Sequence, residues 1–154
     1  MAKKTILWLL TICCVVGIFL LSSQPATESD KLSKAVTESI IKKTPAYQDA
    51  PTTQKQSKVD IMNLLVRDGA HVFVFLAVAF FLSLLLCTYG VKAAPALAAL
   101  ICACYAVIDE LYQQFFSAGR GFEFADIAKD WVGIIAGTAI AVAVLAIRKA
   151  LKSR

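Results

Sequence analysis

Four apolar stretches constrain the fold of this chain more than any other feature of its sequence. They cover residues 5–22, 69–89, 93–113 and 131–148. A helix of roughly 20 mostly apolar residues is long enough to cross the hydrocarbon core of a bilayer. Hydrophobic residues make up 58% of the 154 residues, which exceeds the roughly 45–50% that is usual in soluble domains. The sequence therefore predicts a single all-α membrane domain over residues 1–154, a bundle of four transmembrane helices.

The first stretch also resembles a secretory signal peptide, because Lys3 and Lys4 precede its apolar run. A signal peptide is cleaved after small residues at fixed positions, and residues 21–23 (Leu-Ser-Ser) fit that pattern poorly. We therefore expect the first stretch to be retained as a transmembrane helix.

Basic residues near the ends of the apolar stretches indicate how the chain is oriented in the membrane. They are Lys3, Lys4, Lys92, Arg148, Lys149 and Lys152. Cytoplasmic segments carry an excess of lysine and arginine, so both termini and the turn around Lys92 are predicted to lie in the cytoplasm. The loop over residues 23–67 would then be extracytoplasmic, although it carries seven basic residues of its own.

This first loop has a helical pattern in its first half. Leu32, Val36 and Ile40 recur at four-residue spacing after Asp30, a residue type that can cap a helix. Lysines border the stripe, which is typical of a short interfacial helix lying on the membrane surface. Residues 44–57 are predicted to be a flexible linker. Residues 59–66 are again apolar at helical spacing and are predicted to lead into the second membrane helix along the interface. A disordered loop is the alternative for both helical pieces.

The net charge of +5 does not indicate a nucleic-acid partner. The basic residues flank apolar stretches instead of forming a stripe with interleaved aromatic residues, and lysines at membrane edges meet anionic lipid headgroups. The five cysteines all lie inside apolar stretches and are interpreted as packing residues. No cofactor is expected, because no phosphate-binding glycine loop is present.

Small residues recur along the last apolar stretch. Gly133, Gly137 and Ala141 are four residues apart, and this spacing lets helix backbones approach closely in lipid. The pattern predicts a tight bundle and is a candidate surface for a homo-oligomer.

Polar residues cluster where the four predicted helices meet one side of the membrane. Because successive helices alternate in direction, these clusters fall at the same membrane face. The candidates are Ser23, Gln24, Arg67, His71, Asp109, Glu110, Gln113, Arg120, Asp126 and Asp130. Ionisable groups near the bilayer usually point into the bundle or into a wet cavity, so they form either a binding site or a structural network of ion pairs. No metal site is predicted, since His71 is the only histidine and no metal-binding motif is present.

The same residues carry a resemblance to a known family. The pattern consists of Ser-Ser-Gln-Pro at 22–25, His71, Asp-Glu-x-x-Gln at 109–113, Gly-Arg at 119–120, and Asp126, Asp130 and Gly133. In this order it resembles the VanZ-like membrane proteins over nearly the whole chain. Phe75 stands where relatives often have tyrosine, and Tyr112 stands where they often have histidine.

The resemblance implies a multi-pass protein of the bacterial cytoplasmic membrane that acts at the cell envelope. The family is named for a protein that raises resistance to teicoplanin, a lipid-bearing glycopeptide antibiotic.

Three kinds of function fit this resemblance. A non-enzymatic factor at the outer face would bind membrane lipids, a lipid-linked cell-wall precursor or a lipophilic antibiotic, with Arg67 and Arg120 near a phosphate. A membrane enzyme acting on a lipid or lipid-phosphate headgroup would use His71, Asp109 and Glu110. A small oligomeric transporter or scaffold is the third.

Overall fold

The computed structural model describes residues 2–153, and these form six α-helices and no strand. The helices are α1 (Ala2–Ser22), α2 (Ala26–Ile41), α3 (Pro45–Gln48), α4 (Thr52–Thr88), α5 (Ala94–Phe116) and α6 (Phe124–Lys152). Four of them, α1, α4, α5 and α6, are long and apolar enough to cross a membrane. The prediction of an all-α membrane protein with four membrane-spanning helices is confirmed.

Two of these helices begin earlier than their apolar stretches. The 37 residues of α4 start at Thr52, so residues 52–68 continue the membrane helix instead of belonging to a loop. At 1.5 Å per residue, α4 is about 55 Å long and exceeds the roughly 30 Å hydrocarbon core. Similarly, α6 starts at Phe124 rather than at residue 131. Hydropathy locates only the lipid-facing part of a helix, while the backbone continues until a residue such as Pro51 or Gly90 interrupts it.

The first loop is more regular than the sequence predicted. The expected short helix is α2, but it begins at Ala26 after Pro25, so Asp30 lies inside it and does not cap it. Its buried residues are Thr37 and Ile41, and it packs against the first half of α4. The predicted flexible linker over residues 44–57 contains α3 and the start of α4.

The centre of the bundle is α4, which packs against α1, α2, α5 and α6. Its closest neighbour is α6, and the contact is made through glycine. A Cβ atom built at Gly133 would overlap the carbonyl oxygen of Val72, and one at Gly137 would overlap that of Leu76. The predicted small-residue stripe therefore joins two helices of the same chain, and a homo-oligomer would have to use another surface.

Candidate functional site

The four polar clusters lie together at one end of the bundle. This polar end comprises the carboxyl ends of α1 and α5, the middle of α4 around His71, the loop over residues 117–123 and the start of α6. Hydrogen bonds connect these elements over sequence separations of up to 95 residues. The alternating direction of the helices alone predicted that the four clusters share one face. The hydrogen bonds show which side chains contact each other there.

A hydrogen-bond network centred on Asp109 joins α1, α5 and the loop that follows α5. The Asp109 side chain is buried and accepts hydrogen bonds at Oδ2 from the Ser22 hydroxyl and the Gln113 amide, both at 2.8 Å. The Arg120 guanidinium donates to the side-chain oxygen of Gln113. The Ser117 hydroxyl donates to the backbone oxygen of Ser22 at 2.6 Å. The network fixes both the Asp109 carboxylate and the Arg120 side chain.

A second contact joins α4 to α6. The Nδ1 atom of His71 lies 3.0 Å from Oδ1 of Asp130, whose side chain is 2% exposed. A carboxylate at this distance favours the proton on Nδ1. The Nε2 atom makes no hydrogen bond with any residue in 2–153, and the imidazole lines a cavity. His71 can therefore present Nε2 to a ligand while Asp130 holds the ring in place.

Other predicted site residues stabilise the polar end without reaching that cavity. Glu110 is buried and accepts a hydrogen bond from the backbone N–H of Glu123 at 2.6 Å. Lys129 lies 2.7 Å from both Asp68 and Asp126, which ties α4 to α6. These contacts match the alternative reading of the polar residues as a structural network.

Ser23 and Gln24 also lie outside the cavity. The Ser23 hydroxyl donates to the backbone oxygen of Phe19 at 2.6 Å. Gln24 lines a separate, shallower pocket near Glu28 and Lys31, and its side-chain oxygen is buried without a partner among the described residues. At the end of α1, it is Ser22 that enters the polar network.

The cavity that His71 lines has a volume of about 270 Å³ and combines polar and apolar walls. Its polar lining residues are Ser22, Ser29, Ser33, Arg67, His71, Asp109 and Arg120. Its apolar lining residues are Ile18, Leu21, Leu32, Val36, Val66, Ala70, Val74 and Phe75. The lining comes from α1, α2, α4, α5 and the loop after α5, so the cavity forms only when all these elements are assembled.

Both arginines in the cavity have unused hydrogen-bonding capacity. Arg67 forms no hydrogen bond or ion pair with any residue in 2–153, although it lies close enough to influence Asp30 and Arg120 electrostatically. The Nε atom of Arg120 is buried without a partner among those residues. Burial lowers the pKa of Arg120, and the neighbouring Arg67 lowers it further. An arginine stays charged despite such a shift. Two positively charged side chains with unused hydrogen-bond donors therefore face one cavity.

Helix α2 is held in position over this cavity. The Asn63 amide of α4 donates to Oδ1 of Asp30 at 3.0 Å, and the Thr37 hydroxyl lies 3.5 Å from the Asn63 oxygen. Lys34 lies 2.8 Å from Asp30 and, through this hydrogen bond, lowers the pKa of the Asp30 carboxyl. The backbone N–H of Ala26 donates to the oxygen of Ala118 at 3.0 Å. The α2 side of the cavity is thus a fixed wall.

Three contributors to the polar end were missing from the sequence-based candidates. Lys129 could have been found, because it lies three residues after Asp126 on one helix face. Ser22 belongs to the Ser-Ser-Gln-Pro pattern at 22–25 that carries the family resemblance. Ser117 gave no comparable signal, since a serine at a helix end is common and its partner is far away in sequence. No group of three His, Cys, Asp or Glu side chains within residues 2–153 is placed to hold a metal ion.

These features define a multi-pass membrane protein with a cation-lined cavity at one end of a four-helix bundle. Residues 7–146 match the VanZ/LLP1 family, and the chain belongs to that family. No curated protein and no solved structure matches the chain significantly.

Proposed function

We propose that this protein binds an anionic, lipid-linked component of the cell envelope at the outer face of the bacterial cytoplasmic membrane. The observation that carries the proposal is the cavity, whose lining contains Arg67 and Arg120 together with apolar residues of α1, α2 and α4. An anionic lipid requires a cationic surface for its headgroup and an apolar surface for its hydrocarbon chain.

The charge balance of the cavity favours an anion. Arg67 and Arg120 contribute two positive charges and Asp109 one negative charge, which leaves an excess of one positive charge when His71 is neutral. Guanidinium groups bind phosphate and carboxylate through two parallel hydrogen bonds. An anion would also relieve the repulsion between the two arginines.

Two features support the proposed outward orientation of the polar end. Lys3, Lys4 and Lys92 lie at the opposite end of the bundle together with Arg148 and Lys149, as expected for a cytoplasmic face. In addition, α2 exposes Leu32, Val36 and Ile40 beside its lysines, so it is suited to lie at the lipid headgroups. We propose that the interfacial helix predicted from the sequence is α2.

Resistance to teicoplanin is the proposed cellular consequence of such binding. The protein would change the amount or accessibility of a lipid-linked envelope component near the site where a lipophilic glycopeptide acts. The family relationship motivates this part of the proposal.

A membrane enzyme acting on the bound headgroup is the second candidate, and one observation favours it. His71 lines the cavity with Nε2 free while Asp130 holds Nδ1, which is an arrangement suited to general acid–base catalysis. Asp109 also lines the cavity, whereas Glu110 does not.

Binding measurements on arginine variants test the proposal. Purified protein in phosphatidylcholine nanodiscs is titrated with anionic lipid-linked precursors, and retained lipid is measured by native mass spectrometry. Arg67→Gln and Arg120→Gln are each expected to weaken binding about 10- to 100-fold, because hydrogen bonds between charged groups contribute about 1.5–3 kcal/mol. Arg148→Gln, at the opposite end of the bundle, is the matched control and should bind normally.

The same preparations separate the candidate functions. Equal binding by all four proteins would contradict the proposal. Release of a headgroup product by the unchanged protein, but not by His71→Asn, would establish the enzyme instead of a binding factor. Teicoplanin susceptibility of a Gram-positive host expressing each protein at equal membrane level tests the cellular consequence, and resistance lost only in the cavity variants is the expected result.

A further inference from the structure

We infer that the ligand is a lipid phosphate monoester, whose headgroup enters the cavity sideways between α1 and α2 while its hydrocarbon chain stays in the bilayer. This inference rests on the proposed function and narrows it to one class of headgroup and one route of entry.

The size of the cavity limits the headgroup. Its volume of about 270 Å³ lies below the roughly 300–1,000 Å³ that is usual for sites enclosing drug-sized ligands. A phosphate and a few carbon atoms fit this space. A glycopeptide or a headgroup bearing several sugars does not, so such a molecule could contact the cavity only at its mouth.

The donors at the cavity match a terminal phosphate. Arg67 has a free guanidinium and Arg120 a free Nε–H, and both groups donate. His71 has a free Nε2, which donates once the ring is protonated at both nitrogens. Together they are three separate polar groups around one space. A phosphate monoester offers three terminal oxygens and carries a charge of about −1.5 to −2 at neutral pH. A phosphodiester offers only two such oxygens and a single charge, so its attraction to the two arginines would be weaker.

The arrangement of the helices provides a lateral entrance. Helices α1 and α2 each pack against α4 but share no extended packed interface with each other. The gap between them, which we term the lateral gap, is bordered by Leu21, Leu32 and Val36. These side chains are 40%, 48% and 44% exposed, and they line the cavity as well. A hydrocarbon chain in the gap would therefore contact apolar side chains from the cavity outwards.

Hydrogen bonds hold two other sides of the cavity together. Asp109 of α5 and Arg120 are held by the hydrogen-bond network around Gln113. The start of α2 is fixed to the loop after α5 through Ala26 and Ala118. These contacts occupy the end and the α5 side, whereas the lateral gap has no such contact among the described residues and offers an apolar border to a membrane lipid.

The headgroup class is tested by comparing lipids that differ at the phosphate. The protein is placed in phosphatidylcholine nanodiscs containing a small fraction of phosphatidic acid, polyprenyl phosphate or phosphatidylglycerol, and occupancy is measured by native mass spectrometry. Both monoesters are expected to bind at least tenfold more tightly than the phosphodiester, and Arg67→Gln should remove this preference while Arg148→Gln retains it. Inorganic phosphate is added in a parallel titration and should not displace the lipid at equal concentration.

The route of entry is tested by filling the lateral gap. Leu32→Trp and Val36→Trp each place a larger side chain at the gap on α2, and each is expected to weaken binding of phosphatidic acid at least tenfold. Ser39→Trp, on the exposed part of the same helix, should bind as the unchanged protein does. Thermal unfolding of each variant identifies one that does not fold, and the other position at the gap then supplies the result.

Several outcomes would overturn the inference. Equal affinity for the monoesters and phosphatidylglycerol would remove the headgroup assignment, and displacement by inorganic phosphate would make free phosphate the ligand. Unchanged binding by both folded tryptophan variants would remove the lateral entrance. If only diphosphate-linked glycolipids bound, this inference would be wrong and the proposed function would stand. Absence of binding to any anionic lipid would contradict both the inference and the proposed function.

Discussion

Replacing Gly137 with alanine is expected to destabilise the bundle by about 3 kcal/mol or more, the upper end of the range for overpacking a core. The added Cβ would overlap the carbonyl oxygen of Leu76, which belongs to the backbone of a continuous helix and cannot rotate away as a side chain can. Gly133→Ala meets the same obstacle at Val72. Thermal unfolding in detergent and the amount of protein in membranes measure the effect, and the double variant should not accumulate.

A glycine elsewhere in the bundle provides the control. Gly17 lies in α1, and a Cβ built there meets no atom within 4 Å. Gly17→Ala should therefore unfold within a few degrees of the unchanged protein. Normal stability of Gly137→Ala would show that α4 and α6 do not pack as closely as described.

Replacing Asp109 with leucine is expected to destabilise the protein by about 2–6 kcal/mol, because two buried donors would lose their acceptor at about 1–3 kcal/mol each. Those donors are the Ser22 hydroxyl and the Gln113 amide. Asp109→Asn retains a side-chain oxygen at the same place, so it should fold with a much smaller loss. It also removes the negative charge of the cavity, and binding of an anionic lipid should be kept or strengthened.

Asp60→Leu is the matched control, since Asp60 is exposed on α4 and, among residues 2–153, its side chain forms a hydrogen bond with Gln56 alone. It should unfold at nearly the same temperature as the unchanged protein. If Asp109→Leu were as stable as Asp60→Leu, the network around Asp109 would not hold the polar end together. If Asp109→Asn folded but lost anion binding, the carboxylate itself would belong to the binding site.

The membrane helices could be predicted from the sequence because helices that cross lipid consist mostly of apolar residues, which a hydropathy profile detects directly. Part of the α4 extension could be predicted as well, because residues 59–66 are apolar at helical spacing and lie within α4. The start of α4 at residues 52–58 and of α6 at residues 124–130 could not, because these residues are polar or mixed and their helical state depends on packing. The stripe of Gly133 and Gly137 predicted a close helix contact. Its partner, α4, was not predictable, since any helix backbone could have filled that role.

The candidate site was predicted to the level of helix ends, but the rotation of each helix about its axis was not predicted. Alternating helix direction brings the polar clusters to one end, and this requires no knowledge of rotation about each helix axis. Adjacent residues point about 100° apart on a helix, so Asp109 faces the cavity and Glu110 faces the loop at Glu123. The rotation of each helix follows from core packing between distant segments, which a single sequence does not reveal.

Mass spectrometry of the lipids that co-purify with the protein from bacterial membranes tests the central claim most directly. The unchanged protein is expected to retain an anionic lipid in near-stoichiometric amount, enriched over the bulk membrane, and Arg67→Gln combined with Arg120→Gln should lose it while Arg148→Gln keeps it. A lipid composition equal to that of the bulk membrane, or an anionic lipid retained equally by the cavity variant, would contradict the assignment of the cavity as an anionic-lipid site.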